Sequence, residues 1–173
     1  MIDTGHYLAQ MRATVPLVHN ITNFVAMNIM ANVQLAVGAS PAMVHAHEEV
    51  AEFAALSQAL TVNIGTPDPT WAEAMELAAG VMHAAGKPWV LDPVGAGATR
   101  LRLDVSQHLL ALRPTVIRRN ASEVLALAGT LATGRGVDAT DSVAAAECAA
   151  QDLARRTGAV VAVSGPVDYI TDG

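Results

Sequence analysis

Several short apolar runs in the chain end abruptly at polar residues. Residues 89–91 are apolar and are followed by Asp92, and residues 116–117 are followed by Arg118. Residues 159–163 form a longer run of the same kind. Uninterrupted apolar runs are typical of strands in parallel sheets, because such strands are buried on both faces. The sequence therefore predicts a parallel sheet whose strands end in polar side chains.

Segments with helical character separate these runs. The predicted helices are 4–14, 22–37, 48–57, 71–85, 101–112, 120–129 and 141–157. The predicted strands are 17–18, 59–64, 89–91, 115–117, 159–163 and 167–171. This alternation predicts a three-layer α/β fold, with a mostly parallel sheet flanked by helices. The 173 residues, 52% of them hydrophobic, suit one domain spanning 1–173.

Some segments carry more specific expectations. Helix 22–37 is apolar nearly all round, which predicts deep burial, and residues 38–41 are expected to close it. Residues 130–138 resemble an exposed loop. Residues 172–173, Asp-Gly, are a dipeptide that commonly turns a hairpin. We therefore expect a longer fold of which this sequence lacks the C-terminal part.

The charge and the cysteine content limit the classes of function that the chain could have. The net charge is −6 and there is no run of Lys or Arg, which argues against nucleic-acid and membrane-surface binding. No segment reaches the roughly 18 uninterrupted apolar residues of a membrane span, and the N-terminus lacks a signal-peptide pattern. A single cysteine, Cys148, favours a reducing compartment such as the cytoplasm. Its Ala-rich surroundings predict a small buried helix residue rather than a nucleophile.

Polar residues at the strand ends are expected to meet. The carboxyl ends of parallel strands lie at one edge of a sheet, where helix N-termini and loops also converge. The residues in question are His19, Asn20, Asn63, Gly65, Thr66, Asp92, Arg118, Arg119, Asn120, Ser164 and Gly165. Together they would form a cleft of amide, carboxylate and guanidinium groups, which suits a small polar ligand or a phosphate.

Two carboxylates in this region each have a structural and a functional interpretation. Asp92 either caps the turn made by Pro93 or holds Mg²⁺ and hydrated phosphate oxygens. Glu123 lies in the first turn of a predicted helix, where a carboxylate interacts favourably with the positive end of the helix dipole. Arg118 precedes that helix, and a cation beside a helix N-terminus suits a phosphate, so Glu123 is also placed to reach a metal ion.

Histidines and methionines give weaker signals. His45 and His47 have the spacing of a strand face but no neighbouring cysteine or third histidine to complete a zinc site, which favours a surface or structural role. The methionines are expected to fill the core. Met43 is the exception, because it follows Ser40-Pro41 in a loop where it can line an apolar ligand.

Six segments, taken together, resemble one known family. They are V-P-L-V-H-N-I-T-N-F-V, G-A-S-P-A-M, L-T-V-N-I-G-T, W-V-L-D-P-V-G-A-G-A-T, R-R-N-A-S-E and V-A-V-S-G-P-V-D-Y-I-T-D-G. In this order they resemble the hydroxyethylthiazole kinase family of the ribokinase-like superfamily, from about residue 11 to residue 173. The resemblance implies a ribokinase-like fold. It also implies Mg²⁺-assisted, ATP-dependent phosphorylation of the hydroxyl of 4-methyl-5-(2-hydroxyethyl)thiazole in thiamine salvage, by a homotrimer with thiazole sites at subunit interfaces.

The resemblance also implies roles for individual residues. Those expected to contact the thiazole are Asn23, Met43 and Gly65. Those expected to bind ATP are Arg118, Asn120 and Ser164. Asp92 and Glu123 are expected to support Mg²⁺ and the phosphates. This agrees with the chemistry of phosphoryl transfer, which needs positioned charge more than covalent catalysis.

The sequence departs from the family pattern at two places. Arg119 stands where the family usually has glycine, which implies either crowding at the phosphate site or an extra phosphate contact. The family's Gly-Thr-Gly-Cys segment, which forms the anion hole, has no match here, so no residue is assigned as catalytic. One alternative is therefore a non-catalytic module that binds the thiazole and nucleotide. Another is a ribokinase-like enzyme for a different heterocyclic alcohol, a choice that pocket residues such as Met43 would set.

Overall fold

The computed structural model describes residues 3–133 and 143–173, and the side chains of 3–129 and 145–173. The described helices are α1 (Thr4–Thr14), α2 (Met27–Val37), α3 (Val50–Leu56), α4 (Pro69–Ala84), α5 (Arg100–Ala111), α6 (Ala121–Thr133) and α7 (Val143–Thr157). The described strands are β1 (Leu17–Ile21), β2 (Ser40–Ala42), β3 (Ala59–Asn63), β4 (Trp89–Asp92), β5 (Val116–Asn120), β6 (Val160–Ser164) and β7 (Tyr169–Thr171). Helices and strands alternate, as the sequence predicts.

The described strands form one sheet in the order β2-β1-β3-β4-β5-β6-β7. Neighbouring strands are parallel except for β6 and β7, which are antiparallel. In register, Val62 of β3 lies beside Leu91 of β4, which lies beside Ile117 of β5. These three side chains are fully buried. The mostly parallel sheet flanked by helices is thus confirmed, and its apolar centre explains the uninterrupted apolar runs.

Helix α4 illustrates how the sequence sets the helices. Asp68 accepts a hydrogen bond from the backbone N–H of Trp71 at 2.8 Å, and Pro69 occupies the first helical position, where its missing N–H costs nothing. One face of the helix is then buried against the sheet, with Met75 and Met82 almost completely covered. The helix therefore begins two residues before its predicted start at residue 71, and the predicted core role of these methionines is confirmed.

Helix α2 differs from the prediction in extent and burial. It begins at Met27, because Asn23 caps the preceding turn by accepting from the Ala26 N–H at 2.8 Å. The expectation of deep burial is wrong, since no residue of α2 is buried and Ile29 is 63% exposed. Periodicity shows that a helix is apolar all round but not which neighbours cover it. The apolar outer face of α2 is therefore open in the isolated chain.

The strands at the edge of the sheet also differ from the prediction. β1 continues to Ile21, past the predicted end at Val18. Part of the predicted closing segment 38–41 instead belongs to β2, whose residues pair with those of β1. Gly38 does end α2, with a left-handed backbone. A strand of three residues has too little sequence pattern to be recognised without its partner.

Two predictions towards the end of the chain are corrected. Helix α6 continues to Thr133, so the predicted loop at 130–138 is helical in its first part. The rest of that loop, with Gly134, Arg135 and Gly136, and the predicted helix start at Asp141, lie outside the described residues. Cys148 is exposed rather than buried, because it lies on the outer side of α7. No helix within the described residues is long and apolar enough to cross a bilayer.

The packing of α5 predicts a difference between identical Leu→Ala substitutions at two positions of this helix. Leu109→Ala should lower the free energy of unfolding by about 2–5 kcal/mol, because it leaves a cavity at a fully buried position. Leu101→Ala in the same helix should cost less than about 1 kcal/mol, because Leu101 is 44% exposed. Urea denaturation measures both. Equal losses would contradict the described packing of α5.

Candidate active site

Four polar side chains meet at the carboxyl edge of the sheet. Asn63 ends β3 and lies in register with Asp92, which ends β4. Arg119 belongs to the last part of β5, and Glu123 to the first turn of α6. Parallel pairing brings these positions to the same edge, so the predicted convergence of strand ends is observed for this group.

Asp92 is held between an amide and a guanidinium. Its Oδ2 accepts a hydrogen bond from Asn63 Nδ2 at 2.6 Å, and its Oδ1 lies 2.5 Å from Arg119 Nη2. Burial raises the pKa of the Asp92 carboxyl above its ordinary value, and Arg119, Asn63 and Arg118 partly offset this increase. Of the two interpretations from sequence, the turn cap is not what the structure shows: the side chain contacts Asn63 and Arg119.

Arg119 bridges the two carboxylates that the sequence assigns to a metal ion. In addition to the contact with Asp92, its Nε lies 3.3 Å from Glu123 Oε2. The Arg119 side chain is only 14% exposed. In this arrangement Arg119 acts as a counter-ion within the protein. Crowding at the phosphate site and an extra phosphate contact stay predictions.

Glu123 fixes the loop that follows β4. Its Oε1 accepts a hydrogen bond from the Gly95 N–H at 2.6 Å. Gly95 has a φ of +66°, a conformation that glycine adopts without strain. At Gly97 a Cβ would lie 2.9 Å from the Ala126 Cβ, so the loop approaches α6 closely. The glycines of this loop thus bring it against α6 rather than forming a dinucleotide fingerprint.

The donor set at this edge fits a magnesium ion chemically. Mg²⁺ prefers carboxylate oxygens, binds through one or two of them and keeps several waters. Asp92 Oδ1 and Glu123 Oε2 are both buried without an aligned hydrogen-bond partner, although each faces Arg119 as an ion pair. Among the described residues there is no cluster of three or more His, Cys, Asp or Glu side chains that could hold a metal. Asp92 and Glu123 are therefore the candidate metal ligands that this edge offers.

The three residues expected to bind ATP lie beside one another on β5 and β6. In register, Arg118 faces Ala162 and Asn120 faces Ser164. Arg118 and Ser164 line one small cavity of about 30 Å³. Asn120 Oδ1 accepts from the Glu123 N–H at 3.0 Å and so caps α6. Successive side chains alternate across a strand, so the exposed Arg118 and the mostly buried Arg119 serve different faces.

Two of the three residues expected to contact a thiazole are joined to the carboxylates. Asn63 Oδ1 accepts from Asn23 Nδ2 at 2.8 Å and from the Gly65 N–H at 2.9 Å. Asn23 and Gly65 pack closely against each other. Met43 lies further out, just after the edge strand β2, and is half-buried.

Aromatic side chains form one wall beside Asn23. The His45 ring stacks on Trp71 with centroids 4.3 Å apart, and Phe24 contacts Trp71 edge-on at 4.5 Å. Phe24 also donates its N–H to Thr66 Oγ1 at 3.2 Å. His45 thus has the structural role that the sequence favours. A groove of about 680 Å³ lies elsewhere, between α4 and α5, and includes none of the candidate site residues.

Sequence reasoning missed Arg102, which organises the backbone at this edge. Its guanidinium donates three hydrogen bonds of 2.8 Å, to the carbonyl oxygens of Ile64, Gly65 and Val94. These bonds tie the loop after β3 to the loop after β4. An arginine in an amphipathic helix gives no signal of such a role. Asn63 was among the strand-end residues expected to form the cleft, but nothing in the sequence marked it as the residue that joins Asn23 to Asp92.

The fold places the protein in a known structural class. A pyridoxal kinase from Staphylococcus aureus, solved in complex with ADP, matches 92% of this chain with a TM-score of 0.67, and the match covers 68% of that chain. At 19% identity the similarity concerns the fold alone. The fold of this chain is therefore ribokinase-like.

Within that class, the chain belongs to the hydroxyethylthiazole kinase family, whose sequence profile matches residues 8–173. A hydroxyethylthiazole kinase of Cereibacter sphaeroides is 66% identical over 169 residues, covering 98% of this chain and 64% of the relative. A solved hydroxyethylthiazole kinase protein from Pyrococcus horikoshii has a TM-score of 0.88 at 43% identity, covering 97% of this chain and 63% of that chain. The chain thus spans a little less than two thirds of these relatives.

The close contact at Gly65 leads to a prediction about Asn23. A Cβ added at Gly65 would lie 2.9 Å from both Cβ and Nδ2 of Asn23, so Gly65→Ala should displace Asn23 and weaken its bond to Asn63. We expect a loss of about 1–3 kcal/mol in stability. The side-chain amide NMR signals of Asn23 and Asn63 should shift with it.

Gly80→Ala provides the matched control. Gly80 lies within α4, and a Cβ there would meet nothing within 4 Å. This variant should be about 0.5–1 kcal/mol more stable, because alanine is the better helix former. Unchanged amide signals in Gly65→Ala would show that Asn23 is not positioned by this contact.

Proposed function

We propose that the protein phosphorylates the hydroxyl of 4-methyl-5-(2-hydroxyethyl)thiazole with ATP in thiamine salvage. The main structural support is a pair of carboxylate oxygens, Asp92 Oδ1 and Glu123 Oε2, at the carboxyl edge of the sheet. Both contact the same guanidinium, that of Arg119. Membership of the hydroxyethylthiazole kinase family supports this choice of reaction. Phosphoryl transfer needs positioned charge at such an edge and little covalent chemistry from the protein.

Asp92 and Glu123 are the residues that would hold Mg²⁺. When bound, the ion neutralises charge on the phosphate oxygens that gain it during transfer. Asn63 and the Gly95 N–H each fix one oxygen of these carboxylates, and the other oxygen of each lies against the Arg119 guanidinium. The carboxylates are thereby oriented before any ligand arrives.

The phosphates of ATP are assigned to the neighbouring strands. Arg118 is an exposed cation just before the N-terminus of α6, and both features favour a phosphate. Ser164 lies beside Asn120 on the adjoining strand. We assign Arg118, Asn120 and Ser164 to nucleotide binding, with Arg118 supplying the charge.

The alcohol is assigned to the other end of the same edge. Asn23 and Gly65, with Met43 at the edge of the sheet, would contact the thiazole ring. Asn63 connects this end to Asp92, because its amide group contacts both Asn23 and Asp92. A thiazole alcohol bound here would therefore have its ring beside Asn23 and Gly65 and its hydroxyl towards the carboxylates. The cytoplasm is the proposed location, in keeping with the exposed thiol of Cys148.

We further propose that copies of the chain assemble as a trimer through α2 and the turn before it. Five apolar side chains are more than half exposed there, namely Phe24, Val25, Ile29, Val33 and Leu35. An apolar surface of this kind marks an interaction site more often than free surface. Because it adjoins Asn23, a partner subunit on this face would also cover the proposed thiazole site.

The kinase proposal is tested by direct detection of the phosphate ester. The protein is incubated with the thiazole alcohol, ATP and Mg²⁺, and the product is measured by mass spectrometry. Asp92→Asn should lower the rate by about 10²-fold or more, because it removes a charged oxygen at the reacting end. Asp104→Asn should leave the rate unchanged, because Asp104 lies on α5 in an exposed pair with Arg100. Thiazole binding without any ester would support the non-catalytic module instead.

The assembly proposal is tested by light scattering after size exclusion. Ile29→Asp places a charge in the exposed apolar face of α2 and should shift the protein to a smaller species. Leu101→Asp, at an exposed position of α5, should leave the assembly intact. A wild-type protein that is monomeric at every concentration tested would overturn this proposal.

A further inference from the structure

Arg119 is mostly buried, which is unusual for an arginine side chain. Its side chain is 14% exposed, as is that of Glu123, and Asp92 is 25% exposed. Two ion pairs join Arg119 to both carboxylates. Arg118, the next residue along the strand, is exposed. The chain thus presents one arginine to solvent and buries the next against two acids.

The two carboxylates share a common geometry. Each has one oxygen fixed by a neutral donor, Asp92 Oδ2 by Asn63 and Glu123 Oε1 by the Gly95 N–H. Each has its second oxygen buried and without an aligned hydrogen bond, facing Arg119. The Arg119 Nε and Nη2 atoms are likewise buried without aligned acceptors. The contacts are therefore Coulombic, and the guanidinium occupies the point beside both of these oxygens.

A guanidinium and a divalent cation cannot both occupy that point. They would compete for the same two oxygens, and like charges at such separations repel strongly in a poorly hydrated site. Either cation stabilises the site, because two partly buried carboxylates without a counter-charge destabilise the folded protein. The occupancy of one cation therefore excludes the other.

We propose that Arg119 is an internal counter-ion that holds the carboxylates of Asp92 and Glu123 until a divalent cation displaces it. The identity of the ion, Mg²⁺, rests on the proposed function, whereas the competition itself rests on the contacts of Arg119. By linkage, whatever Arg119 contributes to the metal-free protein is subtracted from metal affinity. Arg119 is thus a positioning residue that keeps the metal-free site ordered and weakens ion binding.

The competition is measured with Mn²⁺ or Mg²⁺ alone, without nucleotide or alcohol. Arg119→Met removes the charge but keeps an apolar chain of similar reach. Its Mn²⁺ affinity, by calorimetry, should be about tenfold or more above that of the wild type. Arg100→Met is the matched control: it removes the same charge at an exposed position of α5 and should change the affinity by less than about threefold.

A second variant localises the added affinity. Glu123→Gln in the Arg119→Met background should abolish most of the gain, because it removes one of the two donor oxygens. Unchanged Mn²⁺ affinity in Arg119→Met, or a gain that survives Glu123→Gln, would overturn the proposal.

Thermal melting gives an independent readout. Without metal, Arg119→Met should melt below the wild type, because its carboxylates face each other unpaired, and Mn²⁺ should raise its melting temperature more than that of the wild type. If Arg119→Met does not fold, Arg119→Lys is used, and its affinity should also exceed that of the wild type, since a single ammonium bridges two acids less well. Melting temperatures that respond equally to Mn²⁺ would contradict the inference.

These measurements are separable from the kinase proposal. A tighter metal site in Arg119→Met together with no phosphate ester from the wild type would leave this inference standing and remove the kinase. Ester formation together with unchanged metal binding would do the reverse.

Discussion

A chain of polar contacts along the carboxyl edge of the sheet connects the proposed thiazole site to the proposed metal ligands. It runs from Asn23 through Asn63 to Asp92, and from there through Arg119 to Glu123. Every link but the last joins residues on different strands or their loops, so the chain exists only when the sheet is assembled. It joins the proposed ring-binding end to the proposed phosphate end.

The apolar centre of the sheet positions the polar residues at this edge. Val62, Leu91 and Ile117 are fully buried and lie in register on neighbouring strands. Their packing fixes the register, and therefore where each strand ends relative to the next. Arg102 adds a second constraint, because it bonds to carbonyls of two adjoining loops. Residues that touch no proposed ligand therefore determine where Asp92 lies. In open α/β sheets generally, ligands bind beyond the carboxyl ends of the strands, which is where this edge lies.

Much of the fold was predictable, and the errors have identifiable physical causes. Apolar runs and caps such as Asp68 are local signals, so most strands and helices were located within a few residues. The burial of α2 was mispredicted because an apolar helix surface does not specify what covers it. β2 was missed because three residues have no periodicity. Cys148 was misplaced because its burial was inferred from residue type, whereas Ala146, Ala150 and Leu153 form the inner face of α7 and Cys148 lies off that face.

The sequence by itself determined the layered α/β fold, the family and the set of candidate residues, because these depend on local pattern and on the order of segments. Only the tertiary structure decided how those residues pair. Arg118 and Arg119 are adjacent in sequence, yet strand alternation exposes one and buries the other between two acids. Ion pairs between segments far apart in the chain depend on sheet register and side-chain direction, and neither is readable from residue types alone.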